Sequence, residues 1–350
     1  MRAAVLYAPH DLRVEERPEP ECRPGEVIIE VTYNGLCGTD ATEYTKGPLM
    51  VPLEVRHTGS GHVGPTILGH EFIGVVVDTA APDARTWAGR RVASGAGVSC
   101  GACDWCRRGR TNLCARYYTL GLSTHGGLAQ FVAAPVSTLR PIPEDCADIE
   151  AALAQPLAVG LHAVSRAGVR PGDSVVILGA GAIGSFVLAG LAGHDGPVIA
   201  IDIDKDRLDT ARALGATDTR LIEAGASPDD LRALFPDGVG VVIESSGVPG
   251  SAQRAIALAA RGGTVLLVGL TKQPQPVDLA DLVLREVDVR TTVAHVCDAD
   301  LPAALDLLAR RPLSPVVLDG VVPLGDVLDA FNRLAAGAAR GKILVDSRRG

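Results

Sequence analysis

Aromatic residues make up only 3% of this 350-residue chain, with Trp 2, Tyr 5 and Phe 5. Gly 40 and Pro 23 suit an α/β enzyme with many tight turns. Positive charge is also short: the net charge is −8 and the pI about 5.5. No basic face is available to track a phosphate backbone, so nucleic acid is a poor partner. Arg107, Arg108 and Arg110 form one short cluster, which reads as a solvated loop. No apolar run approaches the roughly 18 residues of a membrane span. Met1–His10 lack the charged start and long apolar core of a secretory signal. The expectation is a soluble, cytoplasmic protein with no membrane partner. In such a compartment Cys 8 points to metal or reactive thiols more than to disulfides. The hydrophobic content of 47% argues against global disorder and for a large core, and the length suggests about two domains.

The pattern along the chain changes near residue 150. Before it, Arg2–Tyr7, Glu26–Tyr33, Phe72–Asp78 and Arg91–Ala93 read as strands, few helical periods appear, and prolines punctuate the connections. After it, apolar runs alternate with helical stretches. Ser174–Leu178, Val198–Asp202, Val239–Glu244, Thr264–Val268 and Val287–Val293 read as strands. Ala182–Ala192, Lys205–Leu214 and Ser251–Ala260 read as helices. That alternation predicts a doubly wound parallel sheet. Two further helices, Asp300–Arg310 and Gly325–Ala336, and a terminal strand Lys342–Val345 close the chain. The tail is expected to rejoin the first domain.

Gly179-Ala180-Gly181-Ala182-Ile183-Gly184 fits the dinucleotide fingerprint G-x-G-x-x-G. Alone it is a weak signal. Here it follows a strand, opens a helix, and is followed by Asp202 at the end of the next strand, which is the context the fingerprint requires. Gly179 permits the tight turn, Gly181 lets backbone approach a pyrophosphate, and Gly184 lets helix and strand pack. Free N–H groups at the helix start face the phosphates. A carboxylate at Asp202 accepts from a ribose 2′-OH and repels a 2′-phosphate, favouring NAD over NADP. Ser246, Val268 and Gly269 sit at later strand ends and are expected beside the nicotinamide half. A glycine-rich turn with Asp202 as a helix cap, and ordinary strand-end turns, are the plainer readings.

Cys100, Cys103, Cys106 and Cys114 form C-x2-C-x2-C-x7-C. Four thiolates close a tetrahedral Zn²⁺ shell and leave no room for substrate, so such a zinc is structural. An iron–sulfur cluster and a disulfide pair are the alternatives. Cys37, in Cys37-Gly38-Thr39-Asp40, and His70, in Gly69-His70-Glu71, suggest a second, catalytic metal, which needs about three protein ligands and an open position. Either residue alone would be an ordinary core thiol or satisfied histidine.

Gly69-His70-Glu71, the four-cysteine loop, Gln155-Pro156-Leu157-Ala158 and Gly179–Gly184 occur in this order along nearly the whole chain. In this the sequence resembles the medium-chain zinc alcohol dehydrogenases, and within them the butanediol, sorbitol and threonine dehydrogenase branch. Glu43-Tyr44, Gly47-Pro48 and the long Leu49–Pro65 segment resemble 2,3-butanediol dehydrogenases most. The resemblance implies a GroES-like catalytic domain over 1–155, a Rossmann NAD-binding domain over 156–294, a C-terminal segment 295–350 returning to the first, and a cleft between the domains. It implies one catalytic and one structural zinc per chain. Cys37 and His70 are the implied ligands, with Glu71 as ligand or exchanging neighbour and residue 155 completing the shell. It also implies Thr39 as the hydroxyl that passes on the substrate proton, a small alcohol or ketone as substrate, and a homodimer or homotetramer paired near Val287–Val293.

Two departures stand out. Residue 155 is commonly Glu in the polyol branch and here is Gln155, whose amide can coordinate zinc but brings no charge. Five residues after Cys37 many relatives carry His, where this chain has Thr42; His57, His62 and His295 are candidates for the missing outer relay. Three other readings compete. The enzyme could serve a sugar or aminocyclitol in a biosynthetic pathway. The chain could bind NAD without catalysis. A zinc ribbon for nucleic acid takes only the cysteine loop seriously, and acidic charge with a complete dinucleotide segment argues against it.

Overall fold

The apolar runs of the second half form strands buried along their whole length. Val175–Leu178 and Val198–Asp202 have no residue exposed to solvent. The structure is a computed structural model describing residues 1–80, 84–271 and 273–349. It divides into one unit of Met1–Ala158 with His295–Gly350, and another of Val159–Ala294.

In the second unit six strands pair in parallel, in the spatial order Asp218–Leu221, Val198–Asp202, Val175–Leu178, Val239–Glu244, Ala259–Leu267, Asp288–Thr291. In chain order this is 3-2-1-4-5-6, the doubly wound arrangement whose order reverses beside the first strand. Strands with both faces covered by helices read as unbroken apolar runs, which is why they were legible. Asp218–Leu221 was not, because DTRL carries two charges and lies at the sheet edge.

In the first unit the strand Glu26–Gly35 is the hub. It pairs antiparallel with Phe72–Thr79, Phe131–Pro135 and the C-terminal strand Lys342–Asp346. Its register sets Asn34 opposite Phe72 and Gly35 opposite Leu344. The expectation of few helices here misses Gly38–Lys46, which starts directly after Cys37. Its buried face, Ala41 and Tyr44, packs in one apolar cluster with Leu36, Leu68, Leu128, Phe331, Ile343 and Val345. Tyr44 meets Phe331 edge-on, ring centroids 5.7 Å apart. Nine residues are too few for a marked helical period, and tertiary packing stabilises the helix. The helix Cys297–Arg310 begins three residues earlier than the sequence predicts, and Val327–Ala335 is preceded by a 3₁₀ turn at Leu324–Asp326.

Candidate metal centre and dinucleotide site

Cys37 ends the approach from the hub strand and caps the helix Gly38–Lys46. Its backbone N–H donates to Asp40 Oδ2 at 3.0 Å, and Asp40 Oδ1 lies 3.1 Å from His70 Nδ1. Asp40 is fully buried, so one carboxylate ties together two chain segments thirty residues apart. His70 is presented by Gly69, at φ +96°, where a Cβ would lie 2.6 Å from Asn34 Oδ1 and 2.7 Å from Leu128. Only glycine fits there. Burial lowers the His70 pKa, but Asp40 and then Cys37 raise it well above the usual value. A more basic imidazole held by a carboxylate is a better metal ligand.

Cys37 Sγ, a His70 ring nitrogen and a Glu71 carboxylate oxygen all lie within 4.8 Å of one another. Ligand atoms in a tetrahedral zinc shell stand roughly 3.5 Å apart, so this sulfur, nitrogen and oxygen set fits such an ion with modest closure. Glu71 is also paired to Lys342, Nζ to Oε1 2.7 Å. Gln155 is half-buried in the first turn of the helix Ala154–Ala167, its amide without a hydrogen-bond partner among the described residues. Thr39 Oγ1 is 3.8 Å from Cys37 Sγ. Thr42 donates its hydroxyl to the Gly38 carbonyl, which engages the hydroxyl proton within the helix. His57 Nδ1 accepts the N–H groups of Gly59 and Ser60, and His62 Nε2 lies 2.9 Å from Thr66 Oγ1. His295 is buried beside Gly95. None of these three joins the Cys37, His70 and Glu71 group among the described residues.

The four thiols of Cys100, Cys103, Cys106 and Cys114 also lie within 4.8 Å of one another. Cys103 and Cys106 Sγ are 3.5 Å apart, far from the ~2.05 Å of a disulfide, and no disulfide is present among the described residues. Backbone N–H groups of Ala102 and Cys103 bring the Cys100 pKa down to about 5, while burial and then Cys103 push Cys106 up to about 11. Between Cys100 and Arg116 only Asn112 and Cys114 are buried. With so little apolar burial, the segment needs another source of order, which a closed tetrahedral metal would provide.

In the second unit Gly179 turns at φ +98° directly after its strand, and Gly181 precedes the helix Ala182–Gly190. A Cβ on Gly184 would strike the Gly179 carbonyl at 2.0 Å, whereas one on Gly181 meets nothing within 4 Å. The space at Gly181 would admit a pyrophosphate, with Ala182 exposed and Ile183 half-buried beside it. Asp202 is buried. Its Oδ2 accepts Ala180 N–H at 2.7 Å and its Oδ1 accepts Asp204 N–H at 3.0 Å. It therefore also pins the glycine turn, a duty the sequence does not reveal. Glu244 Oε1 accepts from Ser246 N–H and Oγ and from Gly247 N–H. Val268 and Gly269 donate to the Glu244 carbonyl. Glu244 is thus the organiser of these strand ends; a lone acid closing an apolar strand was its only signal.

Residues 23–144 match the alcohol dehydrogenase GroES-like domain family, and 182–310 the zinc-binding dehydrogenase family. A sorbitol dehydrogenase of Bacillus subtilis is 32% identical over 293 residues, 83% of this chain and 81% of that protein. The chain belongs to the zinc-binding alcohol dehydrogenase family. The crystal structure of 2R,3R-butanediol dehydrogenase from Bacillus subtilis superposes at TM-score 0.89 with 26% identity, covering 99% of both chains. A structure described as a zinc-binding dehydrogenase of Sinorhizobium meliloti, bound to NADP, gives TM-score 0.85 and 29% identity, covering 99% of this chain and 98% of that one. Membership makes this protein an oxidoreductase with a GroES-like and a Rossmann domain. No helix among the described residues is long and apolar enough to cross a membrane.

Proposed function

We propose that this protein interconverts a secondary alcohol, a small diol or polyol, with its ketone, using NAD. The observation that carries this is the grouping of Cys37, His70 and Glu71 within 4.8 Å, with Asp40 fixing the first two. The sorbitol and butanediol dehydrogenases among the similar proteins support the substrate class.

Cys37 and His70 hold a catalytic zinc, with Gln155 or Glu71 completing its protein ligands. Cys100, Cys103, Cys106 and Cys114 hold a structural one. When bound, the catalytic zinc would supply Lewis acidity towards a substrate hydroxyl and the nicotinamide would supply a hydride acceptor. The chain supplies the rest. Thr39 takes the hydroxyl proton outward. Asp40 keeps the His70 ring oriented. The helix start at Ala182 and Ile183, behind the open face of Gly181, receives the pyrophosphate. Asp202 has each oxygen engaged by one backbone N–H, and a carboxylate has about four acceptor positions, so ribose hydroxyls still find acceptors. Ser246, Val268 and Gly269 lie at the strand ends that flank the nicotinamide half.

A homo-oligomer is part of this reading. Among the described residues Asp288–Thr291 leaves one strand edge unpaired, and Leu279, Val283, Leu284, Val289 and Val293 are exposed on or near it. Unpaired edges flanked by apolar side chains invite a second copy.

The test is NADH formation by zinc-replete protein over a panel of vicinal diols, sugar alcohols, threonine, aminocyclitols and simple secondary alcohols. Strongest turnover of a diol or polyol supports the proposal. Turnover confined to aminocyclitols or threonine, or none at all with NAD still bound, overturns it.

A further inference from the structure

Gly95-Ala96-Gly97 leaves the strand Arg91–Ser94, which pairs antiparallel with Phe72–Thr79 and sets Ala93 opposite Ile73. The residues leaving the one strand, Gly95 and Ala96, therefore run beside those entering the other, His70 and Glu71. A second connection fixes the same proximity. The Ala96 carbonyl accepts the Leu120 N–H at 2.9 Å, and the next residue, Gly121, lies so close to Gly69 that a Cβ on it would strike the Gly69 carbonyl. The glycines of this segment leave space beside the proposed metal ligands, and three side chains from elsewhere fill it. A Cβ on Gly95 would lie 2.8 Å from Cys297 Sγ and 3.1 Å from His295 Cε1, and one on Gly97 would strike the Tyr117 hydroxyl. His295 is 2% exposed. Burial pushes the Cys297 thiol up to about 11, which leaves it a neutral packing group. Burial, and then Cys297, push the Tyr117 phenol up to about 12, so it keeps its proton and can donate. Neutral imidazole offers one donor and one acceptor nitrogen. A phenol and an imidazole thus stand next to the metal ligands, and neither joins the Cys37, His70 and Glu71 group among the described residues.

We propose that Tyr117 and His295 are the specificity-determining residues of this protein, and that they bind a second hydroxyl of a substrate whose first hydroxyl sits at the Cys37 and His70 centre. This rests on the reading of that centre as the place of alcohol oxidation, and deepens it by naming what selects a diol over a simple alcohol. A substrate with an alkyl group in place of the second hydroxyl leaves buried polar groups facing carbon, and that mismatch costs affinity.

The test compares 2,3-butanediol with 2-butanol on the zinc-replete full chain, as kcat/KM with NAD and as binding measured by calorimetry. In His295→Leu, kcat/KM for the diol is expected to fall at least about tenfold, mostly through KM, and diol binding to weaken in step, while 2-butanol stays within about threefold of wild type. Tyr117→Phe, which removes only the oxygen, moves the diol to mono-alcohol ratio in the same direction. His295→Gln, which keeps a donor and an acceptor, recovers part of the loss. An equal loss for both alcohols, or a ratio unchanged in both His295→Leu and Tyr117→Phe, overturns the proposal and leaves the two as packing residues. Should His295→Leu fail to fold, Tyr117→Phe carries the test by the same ratio. Failure of the underlying reading shows separately, in the wild type: zinc-replete protein that neither binds nor oxidises either alcohol overturns that reading, and this proposal with it.

Discussion

Asp40 and His70 form a buried pair, Oδ1 to Nδ1 3.1 Å, and the same carboxylate holds the Cys37 backbone through its other oxygen. Asp40→Ala should therefore damage both proposed zinc ligands together. Zinc affinity at this centre is expected to fall about 10–100-fold, with activity falling alongside. Chelator competition checks this. An Asp40→Ala protein with wild-type zinc affinity would show that the carboxylate merely fills space.

The cysteine loop gives a prediction about stability. Metal binding to a segment with so little apolar burial contributes directly to folding. Cys106→Ser should lose about one zinc per chain and melt at lower temperature, by several degrees or about 1–2 kcal/mol. Zinc counting with calorimetry tests this; an unchanged melting temperature after loss of that zinc contradicts it.

Asp202 has two duties that substitution can separate. Asp202→Asn keeps an acceptor for Ala180 N–H but turns an amide NH2 towards Asp204 N–H and removes the charge, so the NADP to NAD ratio of kcat/KM should rise about tenfold with a moderate cost in stability. Asp202→Ala also leaves that N–H without its partner and should cost about 1–2 kcal/mol more. Steady-state kinetics with both coenzymes, and thermal melts, measure the two effects. A ratio unmoved in both variants contradicts the ribose assignment.

His125 gives the chain an acid-sensitive point away from either site. Its Nδ1 accepts the Ile67 N–H, and its ring centroid is 4.6 Å from that of His62. Burial, then His62 and Arg17, bring its pKa down to about 4, and burial lowers that of His62 too. The unfolded chain takes up the proton near pH 6.5. Between those values the unfolded state binds more protons, so stability falls as pH drops from about 6.5 towards 4. At pH 5 the loss from His125 is about 2 kcal/mol. His125→Gln should flatten that part of the melting curve against pH; parallel curves for variant and wild type contradict it.

Legibility followed the physical range of each signal. Buried parallel strands, the glycine turn and the cysteine spacing act within a few residues, so Val175–Gly184 and Cys100–Cys114 were readable directly. The helix after Cys37 was hidden because its nine residues are stabilised by distant Leu128 and Phe331. Asp40 carried a faint signal, three residues past its helix cap. Lys342 carried none: a lysine in a terminal strand reads as surface, and only the sheet pairing brings it behind Glu71. Asp202 reads as a ribose acceptor from its place after the glycine turn, but its bond to Ala180 N–H depends on the parallel register of two strands.

The most direct measurement is diol-dependent reduction of NAD before and after removal of zinc from Cys37 and His70, followed by zinc restoration. The expected result is turnover that falls at least about a hundredfold on zinc removal and returns with zinc, while NAD binding persists throughout. Turnover that is indifferent to zinc at that centre would contradict the assignment of Cys37 and His70.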